Sequence, residues 1–175
     1  MRELVYSVAT SLDGFIAGPN GEFDWIVQDP TIDFSEIFRQ FDTALMGRIT
    51  YEGMLRLGHS PNELGMKVFV ASRTLDPAQH PDVTIVAADM AGAVSELKRK
   101  SGKAIWLFGG GTIFRILLDA GLVDRVEVSI IPILLGGGVP LVPAGRRWPL
   151  QFRDSRTFPS GIISLTYAVA HPSPI

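Results

Sequence analysis

The sequence predicts an α/β fold with a mostly parallel central sheet and an antiparallel C-terminal edge. Strand-like and helix-like segments alternate through the middle of the chain, a pattern typical of parallel strands joined by helices. Residues 104–108 (AIWLF) form a continuous apolar run of strand length, as expected for a parallel strand covered on both faces. Residues 152–157 and 162–169 flank the turn-forming stretch PSG at 159–161, which predicts a hairpin at the end of the sheet.

The N-terminal part of the chain supplies the first strands and helices. Residues 4–9 (LVYSVA) are rich in strand-forming side chains and predict the first strand. Residues 35–41 then predict a short helix, and residues 43–46 (TALM) predict a short buried strand. A helix is expected to begin at Thr50, and residues 66–71 (MKVFVA) predict the next strand.

The same alternation continues toward the C-terminus. Residues 83–87 (VTIVA) predict a strand, and the helix after it runs between Asp89, which can cap its start, and Gly102, which stops it. Beyond the apolar AIWLF strand, apolar residues recur at helical spacing within 113–118. Residues 126–131 predict one more strand before the C-terminal hairpin.

Length and composition indicate one globular domain covering residues 1–175, with a frayed tail at 171–175. The formal net charge is −2 at pH 7, so electrostatics provides no attraction to nucleic acid or to an anionic membrane. The chain has no cysteine, which excludes disulfides and thiolate metal sites. The start lacks a signal-peptide pattern, and no apolar run is long enough to span a bilayer. We therefore expect a cytoplasmic protein without nucleic-acid or membrane partners.

Two other kinds of chemistry have no anchor in the sequence. His59, His80 and His171 are isolated and lack metal-ligand spacing, so no metal site is predicted. A hydrolase would need a Gly-x-Ser-x-Gly motif, which is missing. Trp106 lies within the apolar AIWLF strand and is expected in the core.

The first of two glycine triplets, Gly109, Gly110 and Gly111, separates the AIWLF strand from the following helix. At such a junction unpaired N–H groups and the helix dipole form an anion site, and missing side chains let a diphosphate come close. Thr112 can add a hydroxyl or cap the helix. The alternative is a tight turn required only for packing.

The second triplet, at 136–138, is followed by no predicted helix, so we interpret it as a flexible connection. The first triplet fits neither standard nucleotide motif. A Rossmann fingerprint would need glycine or alanine where Phe114 stands, and no Walker lysine follows. This glycine-rich motif therefore indicates an anion site but does not by itself identify the fold.

Four short motifs follow one another along the chain: SLDGFIA at 11–17, MGRITYE at 46–52, SRT at 72–74 and FGGGT at 108–112. In this order they resemble the dihydrofolate reductase fold, and most closely the reductase domain of bacterial riboflavin-biosynthesis enzymes and its stand-alone relatives. The resemblance covers nearly the whole chain. It implies a dihydrofolate reductase-like fold of three layers.

The resemblance also implies that the chain binds NADPH. Two helix starts would meet the diphosphate, a serine-arginine-threonine stretch would hold the 2′-phosphate, and two apolar residues would flank the nicotinamide. The residues implied at the diphosphate are Gly47, Arg48 and Thr50 at one helix start, and Phe108, Gly109, Gly110, Gly111, Thr112 and Ile113 at the other. Those implied at the 2′-phosphate are Ser72, Arg73 and Thr74, and those implied beside the nicotinamide are Ala9 and Ile16. For Arg48 and Arg73 the alternative is a solvated surface charge.

Two acids are candidates for assisting proton transfer to a reduced substrate. Asp13 lies in the loop after the first strand, but it could equally form a turn with Gly14. Asp33 lies at the start of the first helix, where capping is the alternative. Trp25 could form a wall of the substrate site or pack in the core.

The predicted function is that of an NADPH-dependent reductase acting on a small pteridine- or pyrimidine-like heterocycle. The deaminase half of the bifunctional riboflavin enzymes is missing from this sequence. The alternative is a non-catalytic nucleotide-binding protein that retains the fold. The resemblance and the apolar stretch at 130–135 also predict a homodimer.

Overall fold

The computed structural model describes residues 1–170 and contains a large sheet of eight strands. In chain order the strands are β1 Leu4–Ser11, β2 Phe15–Ala17, β3 Phe41–Gly47, β4 Lys67–Ala71, β5 Thr84–Val86, β6 Ala104–Gly109, β7 Arg125–Ile131, β8 Val139–Pro140, β9 Leu150–Thr157 and β10 Ile163–Val169. The order across the large sheet is β5-β4-β3-β6-β1-β7-β10-β9. In this order across the sheet, each strand from β5 as far as β7 pairs in parallel with its neighbour. Strand β10 pairs antiparallel with both β7 and β9. The predicted α/β fold with an antiparallel C-terminal edge is confirmed.

Among residues 1–170, four α-helices cover the two faces of this sheet. They are α1 Phe34–Arg39, α2 Arg48–Arg56, α3 Met90–Arg99 and α4 Gly111–Asp119. Short 3-10 turns at Pro61–Leu64 and Pro77–Gln79 precede β4 and β5. In the part of the chain that the structure describes, none of the helices has the length and apolar character that crossing a bilayer requires.

Alternation along β1 shows how the three layers form. Leu4 and Tyr6 point into the core beneath α3 and α4, where the Tyr6 ring stacks on Phe114 with centroids 3.8 Å apart. Val5 points to the opposite face, where it packs with Trp106 beneath α1. Because successive strand residues face opposite sides, one buried strand serves two helix layers. The three-layer arrangement and the core position of Trp106 are as predicted.

Several predicted boundaries are wrong by a few residues. The first helix ends before Phe41, which instead begins β3 and is buried. The second helix begins at Arg48 rather than at Thr50, because Gly47 serves as its N-cap. The predicted tail at 171–175, with His171, lies outside the described residues.

The pairing of β2 with β8 was not predicted. Phe15 aligns with Pro140 and Ala17 with Val139 in a small antiparallel sheet. These strands have three and two residues, which is too short for any periodic pattern to be recognised. The pairing places the segment after the second glycine triplet against the loop that follows β1.

Candidate cofactor site at the carboxyl ends of the central strands

Two helices begin side by side at one edge of the sheet. Strands β3 and β6 are parallel neighbours, with Met46 aligned to Gly109. Strand β3 leads into α2 through its N-cap Gly47, and β6 leads into α4 through its N-cap Gly110. Neither helix start has a side-chain cap. The first N–H groups of a helix have no partner within it, so two uncapped starts form a place for an anion.

The two helix starts touch each other. A Cβ built on Gly47 would lie 3.2 Å from Cδ1 of Ile113 in α4. A Cβ built on Gly109 would lie 3.4 Å from the hydroxyl oxygen of Thr50 in α2. Gly47, Thr50, Gly109 and Ile113 are therefore brought together at this edge of the sheet.

The three glycines of the first triplet have different surroundings. A Cβ on Gly110 would meet only the Thr50 hydroxyl at 3.7 Å, an ordinary contact, so this position has room. A Cβ on Gly111 would lie 2.7 Å from the carbonyl oxygen of Pro140, a distance that Cβ atoms do not tolerate. The packing alternative thus holds at Gly111, whereas the position of Gly110 has room for a side-chain carbon. The Gly109–Gly110 peptide is cis.

Two flanking residues complete the α4 side of the site. Thr112 is exposed and lies inside the first turn of α4, whose N-cap is Gly110, so of the two roles expected for Thr112 the capping role is wrong. Phe108 is half-buried and meets the Trp106 ring edge-on at 4.6 Å between centroids.

Arg48, the first residue of α2, is exposed but not unpaired. Its guanidinium donates to both carboxylate oxygens of Glu52 at 2.9 Å, one helical turn away. Exposed pairs of this kind are weak and exchange readily with water. Arg48 can therefore turn toward an anion at the helix start by releasing Glu52.

The SRT stretch lies directly beyond β4, whose Ala71 aligns with Gly47 of β3. Ser72 is buried, and its hydroxyl accepts hydrogen bonds from the N–H groups of Thr74 and Leu75 at 3.2 and 3.0 Å. Ser72 therefore shapes the turn. Arg73 and Thr74 are exposed, and within residues 1–170 the Arg73 guanidinium forms no ion pair.

Asp13 is held by three hydrogen bonds. Its carboxylate accepts from the Ser11 hydroxyl at 2.6 Å and from the N–H groups of Leu135 and Gly136 at 3.1 and 2.7 Å. The Ser11 bond, followed by the two backbone bonds, lowers the pKa of Asp13 to about 2. An ionised carboxylate has no proton to give at neutral pH. The geometry favours a structural role in which Asp13 not only forms the turn with Gly14 but also ties this loop to Leu135 and Gly136.

Asp33 caps α1. Its carboxylate accepts from the N–H groups of Ser35 and Glu36 at 2.9 and 3.2 Å, and from the Ser35 hydroxyl at 2.6 Å. The Ser35 hydroxyl is the main cause of a lowered pKa at Asp33. The capping alternative is therefore present in the structure. Asp33 also lines an open cavity of about 260 Å³ together with Arg156.

Ala9 and Trp25 belong to one apolar cluster centred on Ile131 and Phe158. The indole N–H of Trp25 donates to the carbonyl of Glu22 at 3.0 Å, and the ring is half-buried. Trp25 therefore packs against the cluster that contains Ala9. Ile16 lies in β2, half-buried at the sheet edge.

Asp29 is a polar residue that sequence reasoning missed. It is only 3% exposed, and its carboxylate accepts from the N–H groups of Thr31 and Ser160 at 2.8 and 3.0 Å. Hydrogen bonds from Ser160 and then from Thr31 hold the pKa of Asp29 well below its usual range. The Asp-Pro-Thr sequence signals the local turn, but the bond to a residue 131 positions away has no sequence signal. Asp29 fixes the turn of the C-terminal hairpin near the Ala9 cluster.

No group of three or more His, Cys, Asp or Glu side chains that could hold a metal ion occurs among residues 1–170.

Comparison with known proteins identifies the family. The sequence profile of the RibD C-terminal domain matches residues 2–164. The uncharacterized protein YyaP of Bacillus subtilis (strain 168) is 33% identical over 183 aligned residues, which cover 95% of this chain and 94% of that protein.

Two solved structures share the fold. A putative riboflavin biosynthesis protein from Shewanella sp. PV-4 superposes with a TM-score of 0.83 at 28% identity, covering 98% of this chain and all of that one. The diaminohydroxyphosphoribosylaminopyrimidine deaminase/5-amino-6-(5-phosphoribosylamino)uracil reductase of Thermotoga maritima has a TM-score of 0.71 at 16% identity. The match covers 97% of this chain but 57% of the Thermotoga chain. The chain belongs to the RibD C-terminal domain family and has the fold of the riboflavin-pathway reductases.

Proposed function

We propose that this protein is an NADPH-dependent reductase that transfers a hydride to a small pteridine- or pyrimidine-like heterocycle. The observation that carries the proposal is the pair of uncapped helix starts at Gly47 and Gly110, which meet at the carboxyl ends of neighbouring parallel strands. The room beside Gly110 fits the close approach of a diphosphate. Membership of a reductase-domain family supports the same assignment.

In this proposal each part of the edge holds one part of the cofactor. The N–H groups at the starts of α2 and α4 bind the diphosphate. Arg73 and Thr74, exposed beyond β4, bind the 2′-phosphate through charge-assisted hydrogen bonds. Ala9 and Ile16 border the nicotinamide. The cofactor, when bound, supplies the hydride.

Proton delivery is assigned to water rather than to a neutral carboxyl group. The pKa of Asp13 and that of Asp33 are both lowered by hydrogen bonds from hydroxyl and N–H groups. Both carboxylates are therefore charged near neutral pH, and neither can act as an acid there.

A binding and turnover assay tests the proposal. Purified protein is titrated with NADPH by calorimetry, and NADPH oxidation is then followed with a panel of pteridines and pyrimidines. We expect saturable binding and oxidation with at least one acceptor. Binding without oxidation of any acceptor would favour a non-catalytic nucleotide-binding protein, and no binding at all would contradict both assignments.

We also propose that the protein works as a cytoplasmic homodimer. Within the stretch 130–135 that motivated this expectation, Ile131 is 2% exposed and Leu134 is 69% exposed. Exposed apolar side chains also lie on the C-terminal hairpin, where Phe152 is 60% and Ile163 is 41% exposed. Every residue of the edge strand β9 is exposed.

Light scattering of the purified protein tests the dimer, because a monomer has a mass of 19.1 kDa. We expect twice the monomer mass at micromolar concentration, and Phe152→Asp should shift the protein toward the monomer. A monomer mass for the wild-type protein would contradict the homodimer without affecting the proposed reaction.

A further inference from the structure

A segment that we call the strap, residues 133–143, lies against the loop that follows β1. The N–H of Leu12 donates to the carbonyl of Ile133 at 2.8 Å at one end of the strap. The N–H of Leu141 donates to the carbonyl of Gly14 at 2.8 Å near the other end. Between these points the Asp13 carboxylate accepts from two strap N–H groups, those of Leu135 and Gly136.

The strap fits tightly against β2 on the same side. A Cβ on Gly138 would overlap the carbonyl oxygen of Ala17, and the φ of Gly138 is +147°. Strand β8 of the strap pairs with β2, which carries Ile16. The position of Ile16 therefore depends on the seating of the strap.

The other side of the strap covers the start of α4. The carbonyl oxygens of Pro140 and Leu141 would lie 2.7 and 3.1 Å from a Cβ on Gly111. The Leu141 carbonyl also accepts the hydroxyl of the buried Tyr6 at 3.1 Å. One segment thus touches both the residue expected beside the nicotinamide and the helix start expected at the diphosphate.

We propose that Asp13 is a positioning residue, whose carboxylate seats the strap and thereby holds Ile16 and the start of α4 in the geometry that binds the cofactor. This inference rests on the proposed NADPH site. It assigns Asp13 to cofactor affinity and gives it no role in proton transfer.

The chemistry of the contact requires a carboxylate. Two N–H groups from the strap and one hydroxyl from Ser11 converge on Asp13, so every partner is a donor. A carboxylate is an acceptor at both oxygens, whereas an asparagine amide presents an acceptor on one side and a donor on the other. Asp13→Asn therefore places an N–H against an N–H. The backbone bonds at Leu12 and Leu141 remain, so the strap loosens in its middle while the fold persists.

The first experiment compares Asp13→Asn with Glu96→Gln. Glu96 is exposed on α3, and within residues 1–170 its carboxylate forms no ion pair, so its amide variant matches the charge change. We expect Asp13→Asn to weaken NADPH binding about fivefold or more while kcat at saturating NADPH changes less than about twofold. Hydrogen exchange at the Leu135 and Gly136 amides should accelerate in Asp13→Asn alone.

The second experiment uses two neighbouring glycines of the strap. Gly138→Ala forces a Cβ into the Ala17 carbonyl, whereas a Cβ on Gly137 meets nothing within 4 Å. We expect Gly138→Ala to weaken NADPH binding as Asp13→Asn does, and Gly137→Ala to behave as wild type. Thermal melting of each variant identifies a loss of affinity that is due to unfolding, and Asp13→Asn decides the question if Gly138→Ala does not fold.

The outcomes separate the two proposals. Wild-type protein that fails to bind NADPH would contradict the proposed function. Wild-type binding together with unchanged affinity in Asp13→Asn, or a loss confined to kcat, would contradict only the positioning role. Unchanged hydrogen exchange at the Leu135 and Gly136 amides in Asp13→Asn would likewise mean that Asp13 does not seat the strap.

Discussion

The two glycine triplets contain the same residues and use them for different reasons. In the first, at 109–111, the middle residue Gly110 borders open space at a helix start. In the second, at 136–138, Gly136 has a φ of +72° and Gly138 lies against the backbone of β2. Glycine at the first triplet leaves room for a ligand, and glycine at the second lets two chain segments approach. A run of glycines is thus explained by what faces it.

The first triplet also contacts the segment that follows the second. Gly111 belongs to the first triplet, yet its missing side chain makes room for Pro140, which follows the second. The boundary between ligand-facing and chain-facing glycines therefore runs between Gly110 and Gly111. The prediction that the second triplet is a flexible connection does not account for this tight contact. Four experiments test that division, beginning with the largest expected effect.

The pair Gly110→Val and Gly111→Ala tests the division directly. Gly110→Val should reduce NADPH binding below calorimetric detection, because its side chain occupies the space assigned to the diphosphate, while the melting temperature changes little. Gly111→Ala should instead lower the melting temperature, because its Cβ would lie 2.7 Å from the Pro140 carbonyl. Equal effects of both changes on binding and stability would erase the distinction between the two glycines.

Arg73→Ala tests the proposed cofactor site at a position away from the first glycine triplet. A charge-assisted hydrogen bond contributes about 1.5–3 kcal/mol, so NADPH affinity should fall roughly tenfold to a hundredfold. Affinity for NADH, which lacks the 2′-phosphate, should change little. Parallel losses for both cofactors would show that Arg73 does not bind the 2′-phosphate.

The pH dependence of stability tests the chain-facing side. The pKa of Asp13 falls from its ordinary 3.8 to about 2 in the folded protein, so its ionised form stabilises the fold above pH 3.8 and this contribution is lost as pH falls through 2. The difference in unfolding free energy between wild type and Asp13→Asn should therefore be constant at neutral pH and shrink in strong acid. Urea denaturation across this range measures it, and a difference that grows on acidification would have the wrong sign.

Glu52→Gln should give the smallest effect. This substitution frees the Arg48 guanidinium from its ion pair with Glu52. It also removes a negative charge near the proposed diphosphate site. NADPH affinity should rise by about twofold to fivefold, the range expected for an exposed ion pair. Weaker binding in Glu52→Gln would mean that Glu52 holds Arg48 in the binding orientation.

Local sequence patterns were sufficient to predict β6, α4 and the cap of α1. The apolar run at 104–108 lies within β6, and the helical spacing of Ile113, Phe114, Leu117 and Leu118 corresponds to α4. Asp33 caps α1 through bonds to its immediate neighbours, which is a contact that sequence spacing alone can anticipate. The start of α2 was misplaced, because Gly47 caps it with no side-chain signal.

The sequence by itself determined the α/β fold and the glycine-led start of α4, because strand and helix periodicity act within a few residues. Only the tertiary structure decided the partners of Asp13 and Gly111. The bond from Gly136 to Asp13 joins residues 123 positions apart. Such contacts depend on how β2, β8 and α4 pack, and no local preference of either residue encodes its distant partner.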